Sequence, residues 1–439
     1  MTHINIKEIL WKLHIDSLTA MQQTTVEEYR KGKDLVLLSP TGSGKTIAYL
    51  LPLVLSLKNE NVLQAVVLVP SRELALQIEQ VFKSMGTGIP VMSCYGGRPA
   101  MDEHRTMKSL NPQVIVGTPG RMNDHLNKGN IDASHVHTLV IDEFDKCLEM
   151  GFQEEMSEVI VQIPYLKRRF LLSATDAPAI PRFVSEGDFL KLNFLEDEEQ
   201  IPERIKVYTV KSPEKDKLEV LSKLLCYLGD KSSLVFVNYR ESVERVYRYL
   251  LQAGISCEMF HGGMEQKDRE RALYKFSNGS CNVFVSTDLA ARGLDIPNID
   301  HVIHYHLPLN EDAYIHRNGR TARWDASGNV FLILGPEEYL PEFIQQIPED
   351  YVWEGPKPDP AKPQWVTLYI GKGKKDKINK VDIVGFLSKG GLAREDVGQV
   401  DVKEHYAFVA IRRNLLKETL AAVSGQKIKG IKTIIEKTK

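Results

Sequence analysis

The chain has 439 residues, 43% of them hydrophobic and 26% charged, with a formal net charge of −2 at pH 7. That length exceeds what one core organises and points to two or three domains, while the composition excludes a disordered, fibrous or collagenous protein. No apolar run approaches the ~20 residues that cross a bilayer and the N-terminus shows no signal-peptide pattern, so a soluble cytoplasmic protein without membrane attachment is expected.

Short apolar, β-branched runs recur along the chain: DLVLLS (34–39), AVVLVP (65–70), VIVGTP (114–119), TLVID (138–142) and FLLSAT (170–175). After NFLEDEEQIPER (193–204) the rhythm restarts with SLVFVN (233–238), NVFVST (282–287), HVIHYH (301–306) and NVFLIL (329–334). Continuous apolar strands separated by helical segments predict parallel sheets covered on both faces. The acidic stretch 195–203 reads as a hinge, and the proline-dense stretch 347–364 as an extended spacer. The expected organisation is an α/β fold with domains at 1–200 and 201–346, a linker at 347–364 and a small module at 365–439. The five cysteines, Cys94, Cys147, Cys226, Cys257 and Cys281, form no Cys-x-x-Cys pair, so reduced thiols are expected rather than a metal or disulfide framework.

In parallel α/β sheets the chemistry collects beyond the carboxyl ends of the strands, and the polar signatures of this chain follow its apolar runs directly. SPTGSGKT (39–46) matches a phosphate-binding loop between a strand and a helix. Thr41, Gly42, Ser43 and Gly44 would wrap backbone N–H groups around phosphates, Lys45 would reach the β and γ phosphates, and Thr46 would hold Mg2+. Asp142, at the end of an apolar strand, would be the second magnesium ligand, and Glu143 would orient or deprotonate the attacking water. The acidic motif reads Asp142-Glu143-Phe144-Asp145. Its phenylalanine is either a core-filling variant or a modifier of coupling.

The ordered set SPTGSGKT, PSRELALQ (70–77), GG (96–97), TPGR (118–121), DEFD (142–145), SAT (173–175), STDLAARGLD (286–295) and HRNGRTAR (316–323) resembles the motifs of DEAD-box RNA helicases over residues 15–335. The resemblance implies two RecA-like parallel-sheet domains that bind ATP and RNA. It implies adenine reading by Gln22, ribose contact by Asp295, and arginine fingers at Arg320 and Arg323. It makes Asp145, Ser173, Thr175, His316 and Arg317 coupling residues. It assigns RNA contacts to Pro70, Ser71, Arg72, Glu73, Gly96, Gly97, Thr118, Gly120, Arg121, Gln266, Arg269 and Thr287. Small hydroxyls and glycine amides suit phosphate and 2′-OH contacts, which carry no sequence information. The family's aromatic well upstream of Gln22 has no counterpart, since Trp11 is the only Phe, Tyr or Trp before it.

From residue 361 onward, 17 Lys and Arg stand against 8 Asp and Glu, whereas the remainder carries 39 against 50. A basic module on an acidic body predicts a polyanion partner. Residues 365–439 read as strand, helix, strand, strand, helix, strand, the order of an RNA-recognition fold of α+β type. Tyr406 and Phe408 share a face that Tyr369 could join, either as a base-stacking platform or packed away. The module also resembles the RNA-binding domain of DbpA-type helicases. That likeness implies phosphate contacts from Lys372, Lys374, Lys375, Lys377 and Lys380, with Lys427, Lys429 and Lys432, and structured ribosomal RNA as the partner. The expectation is a monomeric ATP-dependent RNA helicase acting in large-subunit assembly. An ATP-gated RNA clamp with little unwinding, and a DNA helicase, are the alternatives.

Overall fold

The computed structural model describes residues 5–40, 42–97, 100–175, 180–184, 187–195, 205–288, 299–321, 327–344 and 347–438. One compact unit is centred on residues 1–200, and the other extends from residue 201 through the C-terminal module.

Seven parallel strands form the first unit: β1 (Asp34–Leu38), β2 (Ala65–Leu68), β3 (Val91–Cys94), β4 (Val114–Gly117), β5 (Thr138–Ile141), β6 (Arg168–Ser173) and β7 (Phe189–Asn193), in the order β3-β4-β2-β5-β6-β1-β7. Alternate side chains serve opposite faces. Leu35 and Leu37 join the core with Tyr49, Val67, Val140 and Phe170, while Val36 and Leu38 join Leu68, Ile141, Phe144 and Leu171. Both faces are therefore apolar, which is why these strands read as continuous hydrophobic runs.

The second unit repeats the plan with β8 (Ile205–Lys211), β9 (Ser233–Phe236), β10 (Cys257–Phe260), β11 (Val283–Ser286), β12 (His301–His304), β13 (Gly328–Leu334) and β14 (Glu349–Asp350), ordered β10-β11-β9-β12-β13-β8-β14. Strand β14 arises in the stretch expected as a spacer and pairs with β8. This part of the spacer is anchored because its aromatic residues find partners. Tyr351 meets Tyr208 and Phe331 edge-on, and Trp353 lies 5.3 Å from Tyr227 with Lys223 Nζ 4.3 Å over its ring.

The C-terminal module pairs β15 (Trp365–Ile370), β16 (Val397–Val402), β17 (Ala407–Arg412) and β20 (Ile435–Lys437) antiparallel in the order β16-β17-β15-β20, with a short hairpin of β18 (Lys427–Ile428) and β19 (Ile431–Lys432). Helices Lys380–Lys389 and Leu416–Val423 contribute Ile383, Leu387 and Val423 to its core. The other face of this sheet meets helix Gln266–Ser277 of the second parallel-sheet domain. Phe408 stacks on Tyr274 at 5.2 Å, and Asn278 Nδ2 donates to Thr367 Oγ1 at 3.0 Å.

Candidate active site

The phosphate loop leaves the carboxyl end of β1 and enters helix Lys45–Ser56 through Gly44, the residue before its first turn. Gly42 and Gly44 both have φ of +90°, a conformation that side chains resist. A Cβ at Gly44 would also come 2.7 Å from Gln22 Nε2, so glycine is required for that approach. Gln22 is buried: its Oε1 accepts from Thr19 N at 3.0 Å, and its Nε2 donates to Gly44 O at 3.3 Å. The amide expected to read adenine thus caps its own helix and touches the phosphate loop. Lys45 Nζ donates to Ser39 O at 2.5 Å and Pro40 O at 2.6 Å, and Ser39 Oγ donates to Ser43 Oγ at 2.6 Å. Thr46, half-buried in the first helical turn, follows directly.

Strand β5 delivers Asp142 beside this loop. The carboxyl is buried, and burial pushes its pKa up to about 6, against the opposing pull of the Lys45 charge and the Glu143 N–H. The Asp142 carboxylate, close enough to Lys45 to feel its charge, and the Thr46 hydroxyl one residue beyond Lys45 are hard oxygen donors, so the residues fit a magnesium ion. Glu143 adopts φ 51°, ψ 49°, left-handed for a non-glycine residue, at the entry to helix Phe144–Glu149. Backbone strain of this kind collects at functional sites. Phe144 turns into the core and is only 2% exposed.

The link between the acidic motif and SAT is direct. Thr175 Oγ1 donates to Asp145 Oδ2 at 3.1 Å, while Ser173 Oγ donates to Thr175 O at 2.6 Å. Lys146, almost fully buried, lies 3.5 Å from the same Asp145 oxygen and 2.6 Å from Glu149. Sequence reasoning missed Lys146, which carries no motif signal.

Beyond β2, β3 and β4 lie the residues expected to face RNA. Pro70 is buried, Ser71 Oγ caps helix Arg72–Ser84 by accepting from Leu74 N at 3.2 Å, and Glu73 is buried in its first turn. The Arg72 guanidinium covers Gly97, whose φ is +93°, and nears Gly96. Thr118 precedes helix Pro119–Asn127, and Gly120 is open on its outer side. Arg121, expected as an RNA contact, sits in an ion-pair cluster. Its Nε donates to Glu103 Oε2 at 2.7 Å, Asp124 lies at 3.5 Å, and only 12% of the side chain is exposed. Glu103 also pairs with His125 Nε2 at 2.9 Å and accepts from Tyr95 N at 3.2 Å. Burial pushes the Glu103 carboxyl up, but the hydrogen bonds from His125 and Arg121 outweigh it and hold the group below its ordinary range. These bonds hold Arg121 against Glu103 beside the TPGR turn.

In the second unit, Arg317 is buried and holds Asp288 through two bonds, Asn238 Oδ1 at 2.8 Å and His306 O at 2.7 Å. His316 is its half-buried neighbour, and Arg320 is buried just past the helix end. Arg269 lies over the Phe260 ring at 4.6 Å, Gln266 Nε2 donates to Glu270 at 3.2 Å, and Thr287 caps the end of β11. Thr41, Asp295 and Arg323 lie outside the described residues.

Tyr406 is not a free stacking surface, because its hydroxyl donates to Glu270 Oε2 at 2.8 Å and Lys267 Nζ sits 5.9 Å from its ring centre. Tyr369 and Phe408 share that covered face. Lys374, Lys375, Lys377, Lys380, Lys427, Lys429 and Lys432 are exposed elsewhere on the module. Lys372 pairs with Asp376 at 2.9 Å, and Lys429 with Asp382 at 3.0 Å.

Two parallel sheets, a phosphate loop and a strand-end carboxylate pair define a nucleotide-hydrolysing α/β enzyme, and known proteins make that class specific. Family models match in three blocks: DEAD/DEAH box helicase over residues 19–181, helicase conserved C-terminal domain over 216–325, and DbpA RNA binding domain over 367–437. The ATP-dependent RNA helicase DbpA of Escherichia coli is 33% identical over 427 residues, covering 94% of this chain and 93% of that one. The DbpA of Bacillus subtilis is 30% identical over 451 residues, covering 94% and 93%. Among solved structures, S. cerevisiae Dbp5 bound to RNA and ADP BeF3 is similar with a TM-score of 0.67 at 26% identity, covering 77% of this chain and 88% of that one. The chain belongs to the DEAD-box RNA helicases. It is an ATP-hydrolysing enzyme of the DbpA type, a helicase core followed by a DbpA RNA-binding domain.

Proposed function

We propose that this helicase opens short or structured RNA duplexes locally, in the cytoplasm and as a monomer, while its basic tail holds structured ribosomal RNA during large-subunit assembly. The observation that carries the reading is the lysine-rich surface of the C-terminal module, exposed on a domain whose aromatic face is already occupied. Each exposed lysine adds salt-dependent affinity for phosphate without reading base identity.

At the ATP site, the carbonyl bonds of Lys45 are exchanged for contacts to the β and γ phosphates. Asp142 and the Thr46 hydroxyl would hold Mg2+, which would neutralise phosphate charge. Glu143 orients the attacking water, and Arg320 with Arg323 stabilises charge on the transferring phosphoryl group. Gln22 reads adenine, Asp295 the ribose, and Gly42, Ser43 and Gly44 line the phosphates with Thr41. The Asp145–Thr175 bond joins the acidic motif to the strand end that answers RNA, so its loss uncouples turnover from RNA. RNA backbone contacts fall to Ser71, Arg72, Gly96, Gly97, Thr118 and Gly120, and to Gln266, Arg269 and Thr287.

A strand-displacement assay on a short duplex with a structured ribosomal RNA extension tests the reading. ATP-dependent release of the short strand is the expected result. Turnover with no strand release would favour the ATP-gated clamp instead.

A further inference from the structure

Three side chains able to ligate a metal meet in the first unit, though no close spacing in the sequence announces them. Cys94 ends β3, Glu103 comes from helix Ala100–Leu110, and His125 from helix Pro119–Asn127. Cys94 and His125 are fully buried and Glu103 is only 5% exposed. Cys94 Sγ, a Glu103 carboxylate oxygen and a His125 ring nitrogen all lie within 4.8 Å of one another. Zinc takes thiolate, imidazole and carboxylate ligands at about 2.0–2.3 Å, so shifts of about an ångström bring the three atoms to bonding distance. Magnesium, which prefers oxygen donors, suits this set poorly. Charge also balances, because Zn2+ meets two anions, the Cys94 thiolate and the Glu103 carboxylate, and a neutral imidazole. Arg121, which Glu103 holds at 2.7 Å, has a second carboxylate at 3.5 Å in Asp124 and keeps a partner when Glu103 turns to a metal. His125 is oriented from its other side, where Nδ1 lies 3.2 Å from Asn130 Nδ2. With that amide turned so that its oxygen accepts from Nδ1–H, Nε2 has a lone pair for the metal.

We propose that Cys94, Glu103 and His125 form a zinc-binding site that ties β3 to helices Ala100–Leu110 and Pro119–Asn127. Binding breaks the Cys94 S–H bond and forms a sulfur–zinc bond, and the thiol proton leaves to solvent. The His125 proton passes from Nε2 to Nδ1, and Glu103 exchanges the imidazole N–H for the metal. The site lies beside the TPGR turn, since Thr118 N donates to Cys94 O at 3.1 Å. A bound ion therefore fixes the strand end and the helix on which that turn is built.

Absorption spectroscopy tests this with the full chain, freed of metal by a chelator and titrated with Co2+. A single equivalent of Co2+ should bring up a thiolate-to-cobalt charge-transfer band, and Zn2+ should bleach it. Oxygen donors alone, such as Asp142 with Thr46, give no such band. Cys94→Ser should abolish the band, while Cys226→Ser, in the second unit, should keep it. Asn130→Ala leaves all three ligands in place and should weaken Co2+ binding about 10- to 100-fold, the usual loss when a metal-bound histidine loses its orienting partner. No band in the wild-type chain, or a band that survives Cys94→Ser, would overturn the proposal. Unchanged affinity in Asn130→Ala would overturn it as well, because His125 would then not be a ligand.

Discussion

A phenylalanine inside an acidic motif poses a packing problem, and helix Phe144–Glu149 solves it by turning the ring into the core that holds Leu38, Leu68 and Ile141. Asp142, Glu143 and Asp145 keep their places around it. Phe144→Ala should lower stability by about 3–5 kcal/mol through the cavity it leaves. It should keep ATP turnover within about tenfold of wild type, since a methyl group in its place touches no phosphate-site atom. Chemical denaturation alongside steady-state turnover checks both, and collapse of turnover in a stable variant would give the ring a mechanistic role. Lys45→Ala should leave no measurable ATP hydrolysis, and retained turnover would refute the phosphate-site assignment. These residues were legible because each follows an apolar strand in a fixed local order. The ion pair of Arg121 was not legible for the converse reason. Its partner Glu103 sits 18 residues earlier on another helix, and only the fold brings them together.

At the level of elements, the strands that stood out in the sequence are those with near-continuous apolar runs. Strands β3, β7, β8 and β10 are not among the expected runs, because Ser93, Lys191, Lys206 and Glu258 interrupt their apolar patterns. Helix Gln266–Ser277 carries two loads that no local pattern separates: Gln266 and Arg269 toward one end, and Glu270 and Tyr274 against the tail sheet. Removing the Tyr274 ring should loosen that sheet, since the stack is worth about 0.5–1.5 kcal/mol. Tyr274→Ala should therefore speed proteolysis in the stretch 356–364, and an unchanged cleavage rate would show that the tail is held by other contacts. Strand β12 makes the second unit sensitive to acid. Burial lowers His301 to about 4, and burial with the Arg317 charge lowers His304 to about 3. Between those values and about 6.5 the unfolded chain binds the extra protons, so stability rises with pH. Each histidine then costs up to about 1.4 kcal/mol per pH unit as the pH falls below about 6.5. Amide-exchange protection in β9 and β12 should drop between pH 7 and pH 5. Constant protection would mean that neither imidazole is held neutral.

For the molecule as a whole, the sequence foretold two parallel sheets and a small basic module from their rhythm and charge, while the single strand expected after the tail's second helix is instead the hairpin β18–β19 followed by β20. It did not foretell that the second sheet and the module form one compact unit, because aromatic contacts such as Tyr274 with Phe408 link segments far apart in the chain. That arrangement fixes the tail's aromatic face inward and leaves its lysines outward, which is the basis for reading the tail as an electrostatic grip on structured RNA. On the proposed function, the tail aims the ATPase at its RNA. Steady-state ATP turnover without RNA, with poly(A) and with ribosomal RNA, before and after removal of residues 361–439, tests it most directly. Strong stimulation by ribosomal RNA is expected in the full chain, and weaker, RNA-indifferent stimulation once the tail is gone. Equal stimulation by poly(A) and ribosomal RNA in the full chain would contradict it.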